Sequence, residues 1–144
     1  MGVEELVFPV LGLTSRGSLL VKPTVEHLTL NTAAGLKGGY YEGFRLVDSR
    51  GKWFRVRSAR KLHGVGPFGG YNFFLNRRIR VGLELEDEGR QADVAELKEL
   101  VLREFREWHG WSSRGDFAAL RERVEVATTV TELLNILVKA VTHR

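Results

Sequence analysis

The sequence predicts an α+β fold: a mainly antiparallel sheet of about five strands, with two to three helices packed on one face. Three features support this fold class. They are short polar turns between apolar runs, a stretch of strict apolar–polar alternation, and two amphipathic segments with helical spacing. The chain has 144 residues, of which 43% are hydrophobic. That is the size of one domain, so we expect residues 1–144 to form a single domain.

Two copies of the tripeptide Ser-Arg-Gly predict hairpin turns, at residues 14–17 and 48–51. In each copy the glycine follows two polar residues and can adopt the positive φ that a tight turn requires. In the second copy, a type I turn with a glycine bulge would pair Asp48 with Lys52. This pairing also fixes which side chains share a face of the sheet.

The predicted register gives the second hairpin two different faces. Leu46 lies opposite Phe54 on an apolar face, which we expect to carry the helices. Arg45 lies opposite Arg55 on the other face, beside Trp53, and we expect this face to be exposed. Trp53→Ala combined with Arg55→Glu should then change stability little, because exposed pairs contribute only about 0–1 kcal/mol. Phe54→Ala should cost about 3–5 kcal/mol as a large-to-small core change.

Residues 78–86 alternate between apolar and charged side chains, a pattern typical of a strand with one buried face. The segment 71–75, Tyr-Asn-Phe-Phe-Leu, is expected to extend this strand towards its N-terminal end. Near the start of the chain, a proline and Thr24 precede apolar residues with helical spacing. This arrangement predicts one helix from Thr24 to about Gly35 or Gly38.

Two longer helices are predicted in the C-terminal half of the chain. Asp93 should cap a helix over residues 94–108, whose apolar side chains recur every three or four positions. Thr129 should cap a second helix over residues 130–141 in the same way. A shorter helical piece beginning near Asp116 is expected to connect the two.

Charge is distributed unevenly along the chain. Residues 45–80 contain ten Lys/Arg and one acidic residue, Asp48, although the whole chain has a formal charge of only +4. Residues 84–107 contain nine Asp/Glu and four Lys/Arg. This segregation predicts two surfaces of opposite electrostatic potential.

Several kinds of chemistry have little support in the sequence. The chain has no cysteine, which excludes disulfides and thiolate zinc sites and favours a cytoplasmic location. No stretch approaches the roughly 20 apolar residues that cross a membrane. The four histidines lack metal-ligand spacing, and we expect neither metal nor cofactor. Residues 64–69 match Gly-x-Gly-x-x-Gly, but dinucleotide binding requires a helix after this motif, and here a strand is predicted.

One group of residues has the composition of a catalytic triad. His109, Ser112, Ser113 and Asp116 are close in sequence, but such proximity does not establish the geometry of nucleophile, base and orienting carboxylate. A helix end followed by an N-cap at Asp116 explains the stretch better. Trp108 and Trp111 are then expected to anchor this connection in the core.

Three stretches together resemble a family of small, stand-alone bacterial proteins of uncharacterised function; they are YYEGFRLVDSRGKWFRVRSARKL (40–62), GYNFFLNRRIRVGLELE (70–86) and WHGWSSRGDF (108–117). Some small, stand-alone proteins of this kind resemble immunity proteins of bacterial toxin–antitoxin or secreted-effector systems. The matching segments are turns and strands without a catalytic signature, so the resemblance implies a binding protein. Immunity proteins against nucleases tend to be acidic, so a nuclease target is not expected for this basic chain.

The clearest functional signal is the basic, tryptophan-bearing face of the sheet. The planar guanidinium of arginine binds carboxylates and phosphates bidentately and stacks on tryptophan. We therefore expect a non-enzymatic protein that binds an acidic protein partner, or else a solvated strand edge that only discourages sheet aggregation. The candidate binding residues are Arg45, Lys52, Trp53, Arg55, Arg57, Arg78 and Arg80 on the strands, and Phe68 and Tyr71 in the loop between them.

A nucleic-acid-binding module is the alternative interpretation of the same residues. Arginines on the strands would contact phosphates, and aromatic rings would stack on bases. The rings considered for this are Trp53, Phe54, Tyr71, Phe73 and Phe74, although the predicted position of Phe54 in the core argues against its part in stacking. No consensus of an RNA-recognition or KH domain accompanies them.

Overall fold

The computed structural model of the protein describes residues 1–65 and 78–142. Its fold is α+β, as predicted, with a curled antiparallel sheet in the order β2-β1-β4-β5-β6-β3. The strands described are β1 (Val10–Leu13), β2 (Leu19–Lys22), β3 (Leu30–Thr32), β4 (Arg45–Val47), β5 (Lys52–Gly64) and β6 (Arg78–Gln91). The α-helices are α1 (Val25–Thr29), α2 (Ala33–Lys37), α3 (Val94–Glu107), α4 (His109–Ser112), α5 (Phe117–Val126) and α6 (Val130–Thr142).

Some predicted features fall outside these ranges. Phe68 and Tyr71 lie outside the described residues, and so does the predicted strand extension over 71–75. Residues 66–69 of the Gly-x-Gly-x-x-Gly match lie outside them as well. Among the described residues, no helix is both long enough and apolar enough to cross a membrane.

Both predicted Ser-Arg-Gly turns are confirmed. Gly17 and Gly51 have φ values of +88° and +84°, in the region that favours glycine. The Gly17 amide donates to the Thr14 carbonyl oxygen and the Gly51 amide donates to the Asp48 carbonyl oxygen, each at 2.9 Å. The predicted pairing at the second turn is also present, because the Asp48 amide donates to the carbonyl oxygen of Lys52 at 3.1 Å.

The second turn is organised by the carboxylate of Asp48, which has no exposed surface. Its Oδ1 accepts hydrogen bonds from the amides of Arg50 (2.9 Å) and Lys52 (3.2 Å). Its Oδ2 accepts from the Val7 amide at 3.3 Å and from Nε and Nη2 of Arg50 at 2.9 and 2.7 Å. One side chain therefore closes the turn and also fixes the N-terminal segment against it.

The residues after Asp48 connect the turn to three other parts of the fold. The Ser49 hydroxyl donates to the Pro9 carbonyl oxygen at 2.7 Å, which holds the approach to β1. The Ser49 carbonyl oxygen accepts from the Thr131 hydroxyl at 2.7 Å, at the start of α6. The Gly51 carbonyl oxygen accepts from the Ala92 amide at 2.6 Å, where β6 leads into α3.

The two faces of the sheet belong to two hydrophobic clusters. The predicted register is confirmed, with Leu46 opposite Phe54 and Val47 opposite Trp53. Val47, Trp53 and Leu11 pack with α3, α5 and α6 in one cluster, and Leu46 and Phe54 belong to the other. The prediction that the long helices cover the face of Phe54 is therefore wrong. They cover the opposite face because Trp53, Val47 and Leu11 together make it apolar enough to bury.

The single helix predicted from Thr24 is also wrong in its extent. α1 ends at Thr29, and the next three residues form β3, which pairs with residues 78–80 of β6. The Thr32 hydroxyl then accepts a hydrogen bond from the Gly35 amide at 3.0 Å and caps α2. A long-range strand pairing has replaced the continuous helix that local spacing predicts.

The C-terminal helices match their predictions closely. Asp93 caps α3 through a hydrogen bond from the Ala95 amide to its Oδ1 at 3.0 Å, and the Thr129 hydroxyl caps α6. Trp111 is 7% exposed and lies in the core as predicted, but Trp108 is 49% exposed, so its predicted burial is wrong. α3 ends one residue earlier, and the extended backbone of Trp108 (φ −119°, ψ 110°) takes its ring off the apolar stripe.

Asp48→Asn should destabilise the protein by about 3 kcal/mol, because it neutralises a fully buried carboxylate that accepts five hydrogen bonds. The amide nitrogen of asparagine would also face only donors, whichever way the amide is turned. The free energy of unfolding in urea measures this loss. The control is Glu125→Gln, which removes an exposed ion pair with Arg121 and should change stability by no more than about 0.5 kcal/mol. Equal effects of the two substitutions would contradict the central role of Asp48.

Candidate functional site

Arg45 lies at the rim of the helix-covered face and is held in place by two interactions. Its Nε and Nη2 donate to the two carboxylate oxygens of Glu88, both at 2.9 Å. Its guanidinium also stacks over the Trp53 ring, 4.4 Å from the ring centroid, a geometry in which the ring attracts the cation. The hydrogen bonds from Arg45 hold the pKa of Glu88 below its ordinary value, although partial burial acts the other way. The role of Arg45 is therefore structural, and its guanidinium is already occupied by partners within the fold.

Trp53 is not part of an exposed face, and this corrects the predicted site. It is 1% exposed and packs among side chains of α3 and α6. Arg45 lies over the ring at 4.4 Å and Arg90 lies over it at 4.8 Å, so two guanidiniums shield the indole from solvent. Long arginine side chains cover apolar surface with their stems while their charged heads stay at the boundary. The predicted register was right, and the error lay in reading a face with arginines at its rim as solvent-exposed throughout.

Arg55 and Arg57 are exposed, as predicted, and both approach Glu86 on the neighbouring strand. Arg55 lies directly opposite Glu86 in the β5–β6 register, and its guanidinium nitrogens contact one carboxylate oxygen at 2.8 and 2.9 Å. Arg57 is 3.9 Å from the same oxygen, so its contact is weaker. Arg45 and Arg55 lie directly opposite each other, where like charges repel, but this repulsion is offset because each has its own glutamate.

The remaining strand candidates have different surroundings. Lys52 is exposed at the start of β5, next to the Asp48 turn. Arg80 is partly buried, and its Nη1 donates to the Glu26 carbonyl oxygen at 2.8 Å and to the Thr29 hydroxyl at 3.0 Å, which ties α1 to β6. Arg78 is exposed at the first position of β6.

Free positive charge is concentrated at the far end of the β5–β6 pair. We call the exposed residues Arg57, Arg60, Lys61 and Arg78 the distal cation cluster. Within the described residues, the weak contact of Arg57 with Glu86 is the cluster's one ion pair. The predicted separation into two oppositely charged surfaces is thus only partly right. The acidic positions of β6 neutralise the near part of the basic strand, and the far part stays basic.

One acidic residue does lie beside the cluster. Glu84 faces Ser58 across the strands, and its carboxylate accepts a hydrogen bond from the amino group of Met1 at 2.8 Å. That hydrogen bond is the main reason why the pKa of Glu84 is lowered, and the charges of Arg57 and Arg60 lower it further. Arg57 and Arg60 therefore already help to stabilise the ionised form of one carboxylate, that of Glu84, at the border of the cluster.

An open groove of about 540 Å³ borders the same strands. Arg60 and Leu62 of β5 lie on one side of it and Val25 and Glu26 of α1 on the other, with residues 80–83 of β6 between them. Leu62 is 50% exposed. The groove thus combines a cation from the cluster with a large exposed apolar side chain.

The residues with triad composition are not assembled into a catalytic site. The Asp116 carboxylate binds the guanidinium of Arg114 at 2.9 and 3.2 Å, and this contact lowers the pKa of Asp116. The Ser112 hydroxyl lies 3.3 Å from the carbonyl oxygen of His109 and bonds to the backbone. In residues 1–65 and 78–142, no cluster of three His, Asp or Glu side chains could hold a metal ion.

Sequence reasoning missed Glu86 and Glu88 as partners of the predicted basic face. Both were interpreted as part of the acidic segment 84–107, which was expected to form a separate surface. Glu86 and Glu88 are two positions apart, so they lie on the same face of their strand. Placing β5 and β6 side by side would have brought that face close to Arg45 and Arg55. Arg60 was also left out of the candidate set, although it shares the basic segment.

Comparisons of the chain with protein-family models, with curated proteins and with solved structures found no match.

Trp53→Ala should cost about 3–5 kcal/mol of stability, as expected for loss of a large buried side chain. This reverses the expectation from sequence, which placed Trp53 on the surface. Arg55→Gln at the neighbouring exposed position should cost about 0–1 kcal/mol. Urea unfolding of the two variants measures both values. A Trp53→Ala protein as stable as the Arg55→Gln protein would show that the indole is not part of the core.

The Glu88–Arg45 pair should make stability fall in acid. The pKa of Glu88 is lowered in the folded state relative to its ordinary value of 4.5. Its contribution is therefore complete above about pH 4.5 and is lost as the pH falls through the lower folded-state pKa. Glu88→Gln should flatten the decline of unfolding free energy below pH 4.5, and Arg45→Gln should do the same. An unchanged pH dependence in both variants would contradict this assignment.

Proposed function

We propose that this protein is a non-enzymatic binding protein that captures an acidic protein partner through the distal cation cluster. The observation that supports this most directly is the difference between the two ends of the β5–β6 pair. At the near end, Arg45 and Arg55 are matched by Glu88 and Glu86 within the fold. At the far end, Arg60 and Lys61 are exposed without a described ion pair.

This distribution argues for a partner because Arg60 and Lys61 are exposed and form no ion pair among the described residues. A partner that carries carboxylates would supply these ion pairs and gain bidentate contacts from arginine. Complementary charge also speeds association with the right partner and disfavours wrong ones. The cluster therefore takes the place of the Trp53-bearing face that the sequence predicted.

Within this proposal, an immunity protein of a bacterial toxin or effector system is the kind of binding protein that the sequence resemblance favours. Such a protein would act in the cytoplasm, which the absence of cysteine also favours. Its acidic partner would be the cognate toxin. The product of the neighbouring gene is the first partner to test.

The nucleic-acid alternative loses part of its support in the structure. It requires aromatic rings exposed beside the basic strands, because bases bind single-strand readers by stacking. Trp53 and Phe54 are 1% and 2% exposed, so neither ring is available. Mixed oligonucleotides at low salt provide the test, since a phosphate-driven complex must form there and weaken steeply as salt rises.

Charge reversal at the cluster tests the proposed function. Arg60→Glu combined with Lys61→Glu should abolish co-purification with the partner and remove protection in a toxicity assay. Both side chains are exposed, so the variant should keep its fold, which circular dichroism and the unfolding midpoint can check. Capture by the wild-type protein should also weaken as salt increases.

The matched control is Arg106→Glu combined with Arg123→Glu. These exposed arginines lie on α3 and α5, away from the β5–β6 pair, and their reversal changes the net charge by the same amount. The control should bind like the wild type. Equal loss of binding in both double variants would show that only the overall charge matters and would contradict a local site.

A further inference from the structure

Among the described residues, the outer edge of β5 has no strand partner over half of its length. β4 pairs with β5 over only three residues, and one further hydrogen bond joins the Val56 amide to the Phe44 carbonyl oxygen at 2.9 Å. On its other side, β5 stays paired with β6 as far as Gly64. Across the described ranges, no strand pairs with the β4 side of residues 57–63. α2 contacts β5, but it contributes Leu36 to the hydrophobic cluster on the core side.

Residues 58–61 are the regular part of this edge. The β5–β6 pairing is interrupted at Arg57 and at Leu62, whereas residues 58–61 pair one to one with residues 81–84. Ala59 is partly buried and the other three are exposed. A regular, exposed strand edge offers unpaired amides and carbonyls to a further strand. The bulges on either side limit such an added strand to about four paired residues.

The charges on this edge decide between two occupants. In a second copy paired antiparallel over the same four residues, Arg60 would lie diagonal to Lys61 of the other edge, about 7–8 Å away, and like charges this close repel each other. An acidic strand would instead bring carboxylates to both residues. The edge therefore disfavours self-pairing and favours an acidic chain through the same side chains.

We infer that the β5 edge at residues 58–61 binds an extended acidic segment of a protein partner as an additional strand of the sheet. This inference rests on the proposed function and specifies how the partner binds. Arg60 and Lys61 are consecutive, so they point to opposite faces of the strand. The bound segment should therefore carry acidic residues at consecutive positions, with backbone hydrogen bonds giving affinity and carboxylates giving selectivity.

The test uses the full-length, ¹⁵N-labelled protein and a synthetic probe. The probe is an acetylated, amidated octapeptide with four consecutive glutamates between pairs of threonine and valine. A second peptide has the same sequence but carries methyl groups on its backbone amides, so it keeps the charge and cannot donate hydrogen bonds. A third has lysine in place of glutamate.

Strand addition predicts a specific pattern. Amide hydrogens within residues 58–61 should exchange with solvent about tenfold or more slowly when the acidic peptide is bound. The methylated peptide should bind about tenfold or more weakly than its parent, because the intermolecular backbone hydrogen bonds are lost. The lysine peptide should not bind.

Other outcomes overturn the inference and leave the proposed function to its own test. Equal affinity of the methylated and unmethylated peptides, or binding without slower exchange at 58–61, would show docking by charge alone. No binding of the acidic peptide at low salt would exclude the edge as a site for this chemistry. A dimer of the unliganded protein that protects the same amides would show that a second copy occupies the edge. The proposed function fails separately, if Arg60→Glu with Lys61→Glu leaves capture of the partner intact.

Discussion

A carboxylate with no exposed surface must be paired and hydrogen-bonded, and much of this fold depends on how Asp48 meets that requirement. Its oxygens accept from backbone amides and from Arg50, and none of these donors can be removed without leaving a buried charge poorly compensated. The adjoining Ser49 and Gly51 then hold β1, α6 and the start of α3. The repeated Ser-Arg-Gly sequence is thus explained by turn geometry, and at the second copy by this network.

The arginines of the basic segment divide into two groups with different physical roles. Arg45 and Arg50 form ion pairs with carboxylates of the same fold, which cancel their charge. Arg45 also covers the ring of Trp53. Arg57 and Arg60 lie where β5 has lost its β4 neighbour and where acidic positions on β6 are fewer. In the part of the chain that the structure describes, exposed charge and an unpaired strand edge therefore coincide in one place. That coincidence, rather than the total number of cations, makes this end of the sheet a candidate for recognition.

Local patterns predicted the local parts of the fold and failed where distant contacts decide. The turn at 48–51, the register after it and the cap at Asp93 follow from neighbouring residues, and all are present. The helix from Thr24 is interrupted because residues 30–32 pair with a strand nearly 50 positions away, which no local spacing reveals. The role of Trp53 was misjudged for a related reason. Both faces of β5 carry a large ring, so the sequence of the strand does not show which face the helices cover. The positions of α3 and α6 decide that Trp53 is buried and that its charged neighbours lie at the edge of the covered face.

The burial of Trp53 and Phe54 on opposite faces of β5 has an energetic consequence. These adjacent residues belong to different hydrophobic clusters, and Leu46 and Val47 repeat the arrangement on β4. A backbone shift that relaxes a void in one cluster must therefore move side chains in the other. Effects of substitutions in the two clusters should not simply add, although most such pairs never touch. The short β4–β5 ladder contributes side chains to both cores, so tolerance to sequence change should be lowest there.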